Sequence, residues 1–266
     1  MSYTAELFHT RRAEFAKSCA VSSIYGYVCG IGDRHLKNLL VDTVTGSLVQ
    51  IDFDMCFGKG SLQLPVPEFI PFRLSPQMIS VLKPLDGSIL LRGYMIAAMK
   101  TLRSKDAVQS LSNALEIYLN DPVADWINAD KAIRNQRNSL RTGEDGSSSS
   151  EVSSTMSSDR DDINWLPRRR IEGAIRKLAG MDPVSLLLDD LRDNARVKKF
   201  KSFAGLQTIL TAAAYADVSV SSPSSPYIYR DDHRKLSVES QIDMLMKLAS
   251  DPDILVRQWA GLTTWT

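Results

Sequence analysis

Gly32-Asp33-Arg34-His35-Leu36-Lys37-Asn38 and, one short hairpin later, Ile51-Asp52-Phe53-Asp54 decide how this 266-residue chain is read. Between them, Leu39-Leu40-Val41 and Leu48-Val49-Gln50-Ile51 have the branched apolar character of two short strands, and Asp42-Thr43-Val44-Thr45-Gly46 has the composition of a turn. The hairpin they predict brings Asp52 back beside Asn38. Upstream, apolar residues recur at helical spacing from Ala13 to Tyr27 and deliver the chain into a loop marked by Gly30 and Gly32.

An Asp and an Asn five positions apart, then an Asp at a strand end, suit the acidic half of a phosphoryl-transfer site. The spacing from Asp33 to Asn38 equals that from Asp to Asn in the protein-kinase catalytic loop, although His here follows the Asp instead of preceding it. ATP carries several adjacent negative charges, so such a site needs a hard cation with oxygen ligands. Mg2+, with Mn2+ as a substitute, takes one or two carboxylates plus phosphate oxygens and water, which Asn38 and Asp52 could supply. Asp33 would orient and deprotonate a Ser or Thr hydroxyl, a general-base contribution of ~10²–10⁴-fold in rate. Arg34 and His35 are candidates for stabilising charge on the transferred group, with His35 preferred because an imidazole can donate to a phosphate oxygen. Each short motif alone is a common loop sequence; both together at hairpin spacing carry the reading.

Composition sets looser bounds. A 44% apolar fraction and a net charge of +1 describe an ordinary globular protein, not one basic enough to imply nucleic-acid binding by itself. Cys19, Cys29 and Cys56 lack metal-ligand spacing and fit reduced thiols. The sequence contains no apolar run long enough to cross a bilayer, so no membrane partner is expected.

With these motifs in place, the chain resembles the phosphatidylinositol 3-kinase-related protein kinases. The resemblance continues through Phe57-Gly58, Leu64-Pro65-Val66-Pro67-Glu68 and Pro71-Phe72-Arg73-Leu74, which are similar to the family's activation segment. It extends to Asn164-Trp165-Leu166-Pro167-Arg168 and Arg176-Lys177-Leu178-Ala179-Gly180, and to the last residues from Leu236, which are similar to the FATC tail that closes these kinases. What the resemblance implies is a Ser/Thr protein kinase using ATP and Mg2+, with Ser/Thr-Gln protein substrates. The subfamily it most resembles serves nuclear repair of DNA double-strand breaks by end joining, with the Ku heterodimer and DNA ends as partners of other parts of the protein. Asp54 departs from the family's usual Gly, Met55 from its common His, and Leu262 from an expected aromatic. A lipid kinase and a catalytically silent scaffold stay open as alternatives; between residues 52 and 72 the only basic residue is Lys59, which disfavours a phosphorylated headgroup.

The expected fold is α+β and predominantly helical: a kinase large lobe with a small hairpin at the cleft, plus a helical tail. Residues 1–201 are expected to form the large lobe, with the catalytic loop at 32–38, the activation segment at 52–74 and a disordered polar insert at about 138–162. Residues 202–235 are read as a variable linker and 236–266 as the tail. The phosphate-covering loop and strand Lys of a complete kinase are not found before Gly32, so the chain reads as a large-lobe piece of a longer protein. Ser75-Pro76 and Asp251-Pro252 are predicted helix starts, and Gly180 a helix stop before Asp182-Pro183. Arg168-Arg169-Arg170 is read as a solvated helix start rather than a DNA contact, with Ile171, Ile175 and Leu178 facing the core. Trp259 and Trp265 would hold the tail against the lobe.

Overall fold

The computed structural model describes residues 4–60, 64, 68–83, 87–120, 165–192, 203–215 and 235–257. Readings that fall on 138–162, Ser221–Pro226, Trp259, Leu262 and Trp265 lie outside these described residues.

The long helix α1, Ala5–Cys29, is the spine. Thr4 opens it by accepting from the Leu7 N–H at 3.1 Å, and Gly30 closes it in the left-handed conformation (φ 60°). The helix begins eight residues before the stretch predicted from apolar spacing. Residues 5–11 include Leu7 and Phe8 but none is buried, and a cap rather than a buried apolar stripe sets the start. Phe15, Ala16, Cys19, Ala20, Ile24, Tyr27 and Val28 form its buried stripe.

The hairpin β1 (Leu39–Val41) and β2 (Leu48–Gln50) is antiparallel, with Leu39 opposite Gln50, Leu40 opposite Val49 and Val41 opposite Leu48. Its turn follows from Asp42, whose carboxylate accepts from the Val44 N–H and the Thr45 hydroxyl, while Gly46 takes φ 84°. The hairpin lies along α1. The Leu48 N–H donates to Ser18 Oγ (2.8 Å), Tyr25 Oη to Gln50 Oε1 (3.1 Å) and Arg11 Nε to the Val44 carbonyl (3.0 Å). These ties fix where β2 ends, and therefore where Asp52 stands.

The remaining described elements are helices: α2 Pro76–Val81, α3 Gly87–Leu102, α4 Lys105–Asn120, α5 Trp165–Leu178, α6 Pro183–Arg192, α7 Phe203–Tyr215, α8 Val238–Ser250 and α9 Pro252–Val256. The architecture is thus predominantly helical with one two-stranded sheet. Ser75 caps α2, Asp182 Oδ1 accepts from the Val184 and Ser185 N–H groups at the start of α6, and Asp251 caps α9, at the predicted starts. Ile171, Ala174 and Leu178 form the buried face of α5.

Helix α7 is a difference from the sequence expectation, because it lies within the stretch read as linker. Leu210 and Ala214 are buried there, and Leu206, Ile209 and Ala213 pack against the core at helical spacing. Helix α3 packs on both α1 and α8. Met95 and Met99 are fully buried on α3, as are Ile242 and Leu245 on α8. Burying each such side chain is worth roughly 1.5–3 kcal/mol.

Gln241 of α8 is the polar hub of this core. Its Nε2 donates to the carbonyls of Lys177 (3.0 Å) and Met181 (3.3 Å), and its Oε1 accepts from Arg103 (2.6 Å).

Candidate active site

Beyond Gly30 the chain runs beside the segment that follows β2. The Phe57 N–H donates to the Cys29 carbonyl (2.8 Å), Gly58 N–H to Gly30 (2.8 Å) and Gly32 N–H to Met55 (2.5 Å). Glycine is required where these two backbones meet: a Cβ on Gly30 would stand 2.7 Å from the Gly58 nitrogen, at a positive φ. Met55 contributes through its carbonyl, so its departure from the family's His leaves this contact intact.

Among the described residues the non-glycine positions with positive φ are Asp33 (58°), Asp52 (59°) and Phe57 (54°), all in this one region. Backbone in that conformation costs on the order of 1–3 kcal/mol unless its surroundings hold it, and such residues cluster at functional sites. Asp tolerates it better than most residues.

Asp33 is partly buried, and its Oδ1 is sealed from solvent without a hydrogen-bond partner among the described residues. An unpaired buried carboxylate oxygen is costly and therefore marks a place where a donor is expected. The imidazole of His35 lies nearby, with Nε2 at 3.9 Å from Asp33 Oδ2, too far for a hydrogen bond. His35 Nδ1 accepts from the Lys37 N–H (3.2 Å), so a neutral imidazole carries its proton on Nε2, the nitrogen on the Asp33 side.

Asn38 is buried and ties the two motifs together. Its Nδ2 donates to the Asp33 carbonyl (2.8 Å), its backbone carbonyl accepts from the Ile51 N–H (3.1 Å), and its Oδ1 is the amide atom left for a cation. Asp52 follows Ile51 directly and is exposed, with Oδ1 accepting from the Asp54 N–H at 3.4 Å. Asp54 is itself exposed. Among the described residues no three His, Cys, Asp or Glu side chains converge; Asn38 and Asp52 are oxygen donors that the loop and the adjoining strand end could offer a cation. Oxygen donors of this kind fit a hard divalent cation that keeps water and phosphate as its other ligands.

Arg34 stands apart from the other candidates. It is 1% exposed and turned inward. Nε donates to the Gly32 carbonyl (2.8 Å), one terminal nitrogen to Ile51 (2.8 Å) and the other to Asp52, with the guanidinium 5.5 Å from the Phe53 ring centre. The structure therefore brings Asp33, His35, Asn38 and Asp52 together and makes Arg34 a strap between the two motifs.

Glu68 is a residue the motif reading passed over. Its carboxylate is buried and accepts from the N–H groups of Asp33 (2.9 Å) and Arg34 (3.2 Å). Burial pushes its pKa up to about 7, against the pull of those two N–H groups and of the Arg73 and Arg34 charges. One signal was available: Glu68 is the only charged residue in Leu64-Pro65-Val66-Pro67-Glu68-Phe69-Ile70-Pro71-Phe72. A lone charge in an apolar run is buried only when something pairs with it.

Next to the acidic groups, the outer face of the hairpin is apolar. Leu40, Val49 and Ile51 are each 40–48% exposed, and this face leads to Asp52. The arrangement sets an exposed apolar face beside Asp52 and the buried, unpartnered Oδ1 of Asp33.

Residues 1–128 match the family described as phosphatidylinositol 3- and 4-kinase. The chain belongs to the phosphatidylinositol 3-kinase-related protein kinases. It is 33% identical over 265 residues to the DNA-dependent protein kinase catalytic subunit of Canis lupus familiaris, covering 100% of this chain and 6% of that protein. The Mus musculus counterpart is also 33% identical over 265 residues, with the same coverage. The chain thus spans about 6% of the length of these curated relatives. A solved structure, the complete CtTel1 dimer with C2 symmetry, is similar over 71% of this chain and 6% of that one, at 24% identity and a TM-score of 0.49.

Proposed function

We propose that this chain is the C-terminal catalytic portion of a serine/threonine protein kinase that transfers the ATP γ-phosphoryl group to a protein hydroxyl. One observation carries the reading: the buried, unpartnered Oδ1 of Asp33, held beside Asn38 and the strand end that presents Asp52. Asp33 accepts the substrate hydroxyl proton, and the Asn38 amide, bonded to the Asp33 carbonyl, keeps that loop in register with Asp52. His35 offers its Nε2 proton toward the same space. Asn38 Oδ1 and the Asp52 carboxylate would hold Mg2+, which supplies neutralisation of the phosphate charge when bound. The apolar floor of Leu40, Val49 and Ile51 suits the flat base of the nucleotide.

A protein rather than lipid acceptor is supported by the low basic content between residues 52 and 72, where Lys59 stands alone. Similarity to the DNA-dependent protein kinase catalytic subunit supports a nuclear role in double-strand-break repair by end joining. In that role Ku and DNA ends would engage parts of the larger protein beyond this chain. Residues 236–266 are the proposed FATC tail.

The test is phosphate transfer by the native protein that carries this chain, offered a Ser-Gln peptide or phosphoinositide vesicles, with and without DNA ends. Peptide transfer stimulated by DNA ends is the expected result. Transfer to lipid alone would replace the acceptor assignment, and the absence of both transfer and Mg2+-dependent ATP binding would make the chain a scaffold.

A further inference from the structure

We propose that Glu68 is a positioning residue for the base Asp33, and that through it the order of the activation segment controls the alignment of the base. The inference rests on the reading of Asp33 given above.

The left-handed turn at Asp33 points two successive N–H groups, those of Asp33 and Arg34, to one side of the loop. Glu68 meets them with one oxygen each: Oε2 takes Asp33 at 2.9 Å and Oε1 takes Arg34 at 3.2 Å. A carboxylate that accepts two backbone N–H groups makes charge-assisted bonds and fixes the local turn. No other described side chain accepts from the Asp33 or Arg34 N–H, so these two amides are held by a residue 34 to 35 positions away in sequence, while Asn38 holds the Asp33 carbonyl.

The space for this contact is built by two glycines. A Cβ on Gly32 would lie 2.6 Å from Glu68 Oε2, and a Cβ on Gly60 would lie at the same 2.6 Å. Gly32 belongs to the catalytic loop and Gly60 to the activation segment, so the carboxylate sits where these two strands of backbone cross. The Glu68 N–H donates back to the Gly60 carbonyl at 3.4 Å. Arg73, buried on the same segment, faces this cluster with the opposite charge. The consequence is mechanical. If the activation segment leaves its place, both acceptors leave with it, and the strained turn that aims Asp33 loses its support.

The experiment compares Glu68→Gln and Gly60→Ala with the parent in the native protein that carries this chain. Two readouts are taken: peptide phosphorylation across a range of ATP concentrations, and amide hydrogen exchange of the peptide spanning Asp33 and Arg34. Gln keeps the shape of Glu but turns an NH₂ group toward one of the two N–H donors. Ala at position 60 displaces the carboxylate without altering Glu68 or Asp33. For both variants we expect kcat to fall about 10- to 100-fold, the worth of one hydrogen bond to a charged group, with the KM for ATP within about twofold of the parent. Exchange at Asp33 and Arg34 should quicken by a similar factor while helices α1 and α8 keep their protection. Unchanged exchange at those two amides in either variant would overturn the proposal. So would loss of protection across the whole lobe, which would mark Glu68 as a general packing residue. If the parent itself transfers no phosphate, the function proposed for Asp33 fails. The exchange result would then still decide whether Glu68 holds the turn.

Discussion

Replacing Arg34 separates two roles that its sequence position left open. A guanidinium aimed at a transferred phosphoryl group would affect rate and leave stability alone. The structure instead spends Arg34 on three backbone carbonyls. The Gly32 carbonyl belongs to a buried residue, so losing its donor costs about 1–3 kcal/mol. Ile51 and Asp52 are exposed residues whose carbonyls water can reach, so each of those bonds contributes about 0.5–1.5 kcal/mol. The sum places Arg34→Met at about 4 kcal/mol of destabilisation, within a span of roughly 2–6, since Met keeps the apolar stem and removes every donor. Arg34→Lys should fall near half that loss, because one ammonium cannot reach three divergent carbonyls. Guanidinium denaturation of the parent and both variants reads the difference as a shift in unfolding free energy. A loss below about 1 kcal/mol for Arg34→Met, combined with a large fall in phosphate transfer, would refute the strap and return Arg34 to direct contact with the phosphoryl group.

Other consequences follow from the same contacts. Gly30→Ala should lose at least about 2 kcal/mol in the same denaturation assay, because the Cβ meets the Gly58 nitrogen at 2.7 Å in a left-handed conformation. Glu68 has a folded pKa raised to about 7 from an ordinary 4.5, so the folded state binds the extra proton and stability falls as pH rises from about 5 to 7. Glu68→Gln should flatten that part of the stability–pH curve; an unchanged slope would show that the carboxylate is not the titrating group. The pair Arg92–Asp243 joins α3 to α8 at 2.5 Å with side chains 39% and 45% exposed, so Asp243→Asn should cost no more than about 1 kcal/mol and less in high salt.

What the sequence disclosed and what it withheld divide along a physical line. Local signals survived. The turn at Asp42 to Gly46 and the caps at Ser75, Asp182 and Asp251 depend on neighbours a few residues away, and they stand as predicted. The start of α1 was misplaced because Thr4 caps first turns with no buried residue before Arg12, so they carry no apolar stripe for periodicity to register. Helix α7 was hidden in a stretch read as linker from its Ser- and Pro-rich second half, although Leu206, Ile209, Leu210, Ala213 and Ala214 carry helical spacing in the first. Glu68 and the inward turn of Arg34 could not be read locally. Both depend on contacts across 17 to 35 positions, and Arg34 in particular has the composition of a catalytic charge while having the partners of a structural one.

In the proposed mechanism Asp33 is the base and Asn38 and Asp52 hold the metal. This assignment is tested most directly by phosphate transfer and Mg2+-dependent ATP binding measured together on Asp33→Asn in the native protein that carries this chain. The expected result is a fall in kcat of ~10²–10⁴-fold with ATP binding within about twofold of the parent, because the substitution removes the proton acceptor and leaves the Asn38–Asp52 pair intact. Transfer at the parent rate, or loss of Mg2+-dependent ATP binding in place of rate, would contradict it.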